Sequence, residues 1–119
     1  MKEEFTISVS EDYLSKLLNK KTGAEDFIKG IFLDEENNEV LQTSCLYYRY
    51  DTSDLPEISH VLIDEVSFDL KSLAGTMLCS FALEHSYHSN KHNMYQEDQV
   101  KWYFTIDKAR LIIQFVGEE

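Results

Sequence analysis

Val66-Ser67-Phe68-Asp69-Leu70, Met77-Leu78-Cys79-Ser80-Phe81-Ala82-Leu83, Val100-Lys101-Trp102-Tyr103-Phe104-Thr105-Ile106-Asp107 and Leu111-Ile112-Ile113-Gln114-Phe115-Val116-Gly117 decide the fold. In each stretch large apolar residues occupy every second position, the period at which strand side chains return to one face. Ala74-Gly75 supplies a turn between the first two stretches. A polar segment from Ser86 to Asp98 reads as a loop between the second and third, and Asp107-Lys108-Ala109 as a tight turn before the fourth. Four strands joined in sequence order by hairpins make an antiparallel meander. A sheet with one apolar face must be covered, and the N-terminal part of the chain is the available cover.

Phe5, Ile7 and Val9 alternate as a short strand. Ser10 then offers a helix N-cap with Glu11 and Asp12 in the first turn, where the helix dipole favours anions. Tyr13, Leu14, Leu17 and Leu18 form one helical stripe that should fray at Lys20-Lys21 and stop by Gly23. The next piece supports two readings. Thr22-Gly23-Ala24-Glu25 has the spacing of a capping box, and Phe27, Ile28 and Ile31 recur at helical intervals. Gly30 interrupts, however, and Ile31-Phe32-Leu33 before the acidic run Asp34–Glu39 also reads as a strand entering a hairpin. The expectation is a helix or turn to about Ile28, then a strand. Val40 to Tyr50 is rich in strand formers and is expected to be extended, with Asp51–Pro56 as a loop. The 119 residues fit a single domain, 1–119, of α+β class: an N-terminal strand and helix packed on a mainly antiparallel meander sheet.

Net charge is −11, and its distribution says more than its total. Residues 30–70 hold ten acids (Asp34, Glu35, Glu36, Glu39, Asp51, Asp54, Glu57, Asp64, Glu65 and Asp69) against the single base Arg49, whereas the rest of the chain has 12 acids and 10 bases. A local acidic field repels nucleic acid and anionic membrane and speeds encounter with basic proteins. Beside these acids lies Tyr47-Tyr48-Arg49-Tyr50, residue types that supply anchoring contacts at protein interfaces. The candidate partner-binding set is therefore Asp34, Glu35, Glu36, Glu39, Tyr47, Tyr48, Tyr50, Asp51, Asp54 and Glu57. No nucleic-acid or membrane partner is expected. With no apolar leader and no stretch long enough to span a bilayer, the expected location is cytoplasmic.

Catalytic and metal-binding motifs are not in view, so neither enzymatic activity nor a cofactor or metal is expected. No serine sits in a G-x-S-x-G setting, and four scattered glycines build no phosphate loop. His85, His88 and His92 have a spacing that meets zinc on a helix or tight loop, but they fall at a strand end and in a polar loop, where histidine is ordinary. Asp64-Glu65 would project to opposite faces of a strand. Cys45 and Cys79 each sit in an apolar run and read as buried free thiols, with spacing that leaves a disulfide between them open.

The stretches Val66–Leu70, Ala74-Gly75-Thr76-Met77, Val100–Asp107 and Leu111–Gly117 resemble the C-terminal meander of small immunity proteins from bacterial contact-dependent growth inhibition and related polymorphic toxin systems. The resemblance covers about half the chain and contains no diagnostic motif, so it transfers no contact residue. It implies a cognate toxin domain as partner, often a nuclease. Nucleases present Lys, Arg and His to bind phosphate, and an acidic protein occludes such a surface. The competing expectation is a small-ligand-binding or oligomeric α+β module without catalysis, supported by Ala74, Gly75 and Ala82 among large aromatics, where cavities can form.

Overall fold

The computed structural model describes residues 3–49, 57–58, 61–86 and 93–118. Strand β1 (Glu4–Ser8) leads into three helices, α1 (Glu11–Leu18), α2 (Ala24–Ile31) and α3 (Glu35–Arg49). Five strands follow: β2 (Glu57–Ile58), β3 (Leu62–Asp69), β4 (Ala74–Ser86), β5 (Asn93–Asp107) and β6 (Ile112–Gly117). They form a six-stranded antiparallel sheet in the order β1-β6-β5-β4-β2, with β3 also pairing β4. The α+β class and the β3–β4–β5–β6 meander agree with the sequence expectation.

One face of the sheet carries the core. Phe5 and Ile7 of β1, Ile113 and Phe115 of β6, Val100, Trp102, Phe104 and Ile106 of β5, and Met77, Cys79, Phe81 and Leu83 of β4 are all buried. Leu14 and Leu17 of α1, Phe27, Ile28 and Ile31 of α2, and Leu41 and Cys45 of α3 close over it. Phe5 stacks on Phe115 at 4.6 Å and meets Trp102 edge-on at 5.0 Å, while Phe32, from the α2–α3 corner, points its ring at both phenylalanines. Burying each such ring is worth about 1.5–3 kcal/mol, so this cluster fixes the corner from which α3 starts.

Several local expectations are corrected. The segment 24–33 resolves as helix through Ile31, with no strand at Ile31–Leu33; Phe32 caps α2 and is buried, whereas Leu33 is 86% exposed. The stretch expected to be extended from Val40 is helical: residues 40–49 continue α3, and Asp34–Glu39 is a helix start rather than a hairpin tip. Asp34 accepts the Asn37 backbone N–H at 3.0 Å, the N-cap bond that satisfies a free amide of the first turn. The Asn37 and Asn38 side chains donate back to the Ile31 and Phe32 carbonyls at 3.0 and 3.1 Å. These three bonds build the corner and outweigh the strand preference of Val40, Thr43 and Tyr47.

The first hairpin turn lies at residues 70–73, not at Ala74-Gly75. Asp69 holds it, accepting from the Lys71 N–H and the Ser72 hydroxyl, and Leu73 closes it in the left-handed region at φ 57°. The β5–β6 turn repeats the device: Asp107 accepts from the Ala109 and Arg110 N–H groups, and Leu111 closes at φ 56°. Gly75 instead lies within β4, and its lack of a side chain lets Phe68 and Phe104 stack across it at 6.1 Å. In the segment read as a loop from Ser86 to Asp98, Ser86 ends β4 and Asn93–Asp98 belong to β5. β4 and β5 stay paired from Ala74↔Thr105 to Ser86↔Asn93, a ladder about 40 Å long at 3.3 Å per residue. That hairpin runs past the end of β6 and makes the molecule elongated, 55 × 26 × 22 Å. Among the described residues no helix is long and apolar enough to cross a membrane.

Candidate functional site

The candidate residues gather around α3. Its inward face is Leu41, Ser44 and Cys45, all buried. Its outward face is Glu36, Val40, Thr43 and Tyr47, spaced i, i+4, i+7 and i+11, with Glu35 and Glu39 alongside. At 1.5 Å per residue this stripe is about 16 Å long. Val40 is 38% and Tyr47 48% exposed, so an apolar seam runs down a face that is acidic at its N-terminal end. Leu33 projects at that same end, and a shallow recess of about 260 Å³ lies between Phe32, Leu33, Glu35, Asn38 and Glu39.

The acids divide by role. Asp34 is the N-cap of α3 and Asp69 anchors the β3–β4 turn, whose hydrogen bonds from Ser72 and Lys71 hold its carboxyl below the usual carboxylate range. Asp64 accepts the N–H of Glu65, which sits at φ 46° where the β3–β4 register slips; a bulge explains this pair, and both side chains are exposed. Glu35 and Glu36 lie in the first turn of α3, where the dipole favours anions. Among the described residues no cation pairs with Glu35, Glu36 or Glu39. These three remain as unneutralised charge.

The structure thus brings Asp34, Glu35, Glu36, Glu39 and Tyr47 onto one helix and its cap. Tyr48 belongs to α3 by backbone, without a described side chain; Tyr50, Asp51 and Asp54 lie outside the described residues. Glu57 is exposed on β2, opposite Glu84 of β4, and so belongs to the sheet edge. The acidic run 34–39 and Tyr47, expected in a loop and a strand, therefore lie on one helix and its cap. His85 lies on β4 without a described side chain, and His88 and His92 lie outside the described residues. Among the described residues no three His, Cys, Asp or Glu side chains gather closely enough to hold a metal ion.

Two surface features were absent from the sequence reading. Leu33 reads as a strand residue by sequence, and only the α2–α3 corner exposes it. An open concavity of about 630 Å³ also lies on the long hairpin, between Leu62 of β3, Ser80, Phe81 and Ala82 of β4, and Glu97, Asp98 and Gln99 of β5. It lies on β4 between Leu83, the partner of Ile58 in β2, and Ser80, the partner of Leu62 in β3.

No family model, curated protein or solved structure matches this chain.

Proposed function

We propose that this protein is an immunity-type inhibitor that binds a basic protein domain, a nuclease toxin being the partner class that best suits its charge. The observation that supports this reading is the outward face of α3: three glutamates with no cationic partner among the described residues, beside exposed Leu33, Val40 and Tyr47. An interface of this kind works in two steps. The acidic end steers a basic surface into encounter, and the apolar seam supplies contact area once water leaves. Occlusion of a phosphate-binding cleft needs no chemistry from the inhibitor, only a convex helix bearing anions. The resemblance of the meander to immunity proteins points to the same class of partner.

The test is co-expression with the product of the adjacent reading frame. The proposal expects a stable complex and loss of that product's nuclease activity. A neighbour that neither binds nor is inhibited removes the reading.

The concavity on the long hairpin favours a second reading, a small-ligand module. Its lining mixes Leu62 and Phe81 with Ser80, Glu97, Asp98 and Gln99, which suits an amine-bearing apolar molecule. A thermal-shift screen of such amines separates the readings, because the inhibitor is unresponsive until its protein partner is added.

A further inference from the structure

We propose that β1 is a docking edge to which a basic partner adds an extended strand, continuing the sheet beside α3. The proposal rests on the reading of the partner as a basic protein and names how that partner is gripped. β1 is the outer strand of the sheet and pairs on one side only, with β6. The Gly117 N–H donates to the Glu3 carbonyl and the Val9 N–H to the Leu111 carbonyl, both at 2.9 Å. Phe5↔Phe115 and Ile7↔Ile113 lie between them on the same register. Antiparallel pairs alternate between bonded and non-bonded, so residues 3, 5, 7 and 9 direct their backbone groups to β6. The N–H and C=O groups of Glu4, Thr6 and Ser8 therefore point away from the sheet, and among the described residues nothing bonds to them. Such a row is a template for another strand.

The β3 edge is built differently. There Glu65 sits at φ 46° and the register slips between Asp64 and Ser67, a bulge of the kind that turns an edge away from further pairing. β1 has no register shift, and its residues alternate regularly, with Glu4, Thr6 and Ser8 exposed and Phe5 and Ile7 buried.

Charge selects the occupant. Exposed Glu4 stands at one end of the edge, and exposed Glu11 and Asp12 in the first turn of α1 follow the other. α3 neighbours β1, and Phe32, which meets Phe5 edge-on at 6.4 Å, also lines the recess bordered by Glu35 and Glu39. A strand about 4.8 Å beyond β1 thus passes carboxylates at both of its ends. A second copy of this chain fits poorly. Pairing β1 on β1 about Thr6 brings Glu4 of each copy toward Glu11 and Asp12 of the other, like charge against like. A strand with lysine or arginine at alternate positions meets complementary charge instead.

The probe is a blocked seven-residue peptide of alternating lysine and valine, added to the full chain while backbone amide exchange is read residue by residue. With peptide at ten times its Kd, exchange should slow about tenfold at Thr6 and Ser8. Phe5 and Ile7, already bonded to β6, should not change. The same peptide N-methylated throughout keeps its charge but loses its donors, and should bind about tenfold more weakly. Thr6→Pro removes the central edge donor and leaves the β6 ladder intact, so it should fold as the unaltered chain does and also lose about tenfold in affinity. If that variant does not fold, the N-methylated peptide decides. Peptide association that leaves Thr6 and Ser8 exchanging as before, or edge protection in the chain alone that grows with concentration as a dimer forms, would each overturn the proposal. The neighbouring gene's product separates strand addition from the inhibitor reading. Equal binding to the unaltered chain and to Thr6→Pro overturns strand addition and leaves inhibition standing. A product that binds neither removes the inhibitor reading, and the peptide result then decides strand addition alone.

Discussion

The meander and helix α3 bury side chains by opposite rules. On β5 every second residue from Val100 to Ile106 is buried, and strands on both sides hold the register through continuous ladders. On α3 the buried stripe is narrow, the outward face holds two large apolar side chains, and the helix depends on its first turn for its start. The inward-facing residues of the meander are explained by packing. Those on the outward face of α3 are not, and that difference is the reason for assigning the binding role to the helix.

The sharpest contrast is between two aromatic truncations. Trp102→Ala removes the largest fully buried side chain and should cost about 3–5 kcal/mol. Tyr47→Ala should change stability by no more than about 0.5 kcal/mol, as for a surface site. Chemical denaturation of both variants checks this, and comparable losses would mean that Tyr47 is a core residue and α3 has no free face. Next in size is Asp34→Ala, which removes the N-cap of α3 and should cost about 1 kcal/mol, with helix content falling and the sheet unaffected. An unaltered circular-dichroism spectrum and denaturation midpoint would contradict the corner described above.

Asp69 provides a pH test on the sheet side. Its carboxyl is held below the ordinary carboxylate range, so the folded state binds its proton less readily than the unfolded chain. Its contribution is present above the ordinary carboxylate pKa and is lost as acidification passes through the lowered folded value. The Asp69→Asn variant should show a shallower acid loss of stability than the unaltered protein, and it should not weaken α3. The smallest expected effect is at Lys20, which ends α1 in the left-handed region at φ 58° with the Lys21 N–H on the Lys16 carbonyl at 2.8 Å. Lys20→Gly should stabilise slightly, because relief of the left-handed backbone cost of about 1–2 kcal/mol exceeds the roughly 0.4–1 kcal/mol of unfolded-chain entropy that a glycine adds, visible as a small rise in melting midpoint.

Legibility in the sequence follows the same division. Alternation at Val100, Trp102, Phe104 and Ile106 has one physical meaning, so the meander could be read directly. Its turn at 70–73 was displaced because Gly75 looks like a turn residue, when its role is to let Phe68 meet Phe104. The long hairpin was cut short at Ser86 because backbone pairing continues through polar residues as well as through apolar ones. In α3, Val40, Thr43 and Tyr47 favour strands by residue type, which masks the helix in the sequence. Yet Asp34-Glu35-Glu36 repeats the start signal of Ser10-Glu11-Asp12, a capping residue followed by two acids, and that signal was the one to follow. Of the candidate site, the acids and Tyr47 were legible as types. Their convergence on one helix was not, since it depends on Asn37 and Asn38 turning the chain back onto α2.

The most direct measurement of the central claim is the association rate with the neighbouring gene's product across salt concentration, for the unaltered chain and for a Glu35→Gln, Glu36→Gln, Glu39→Gln variant. Steering by the face of α3 predicts a rate that falls steeply with salt in the unaltered chain. In the variant the rate should be about tenfold slower at low salt and nearly flat, with unchanged stability. Identical rates and identical salt dependence in the two proteins would contradict the assignment of α3 as the binding face.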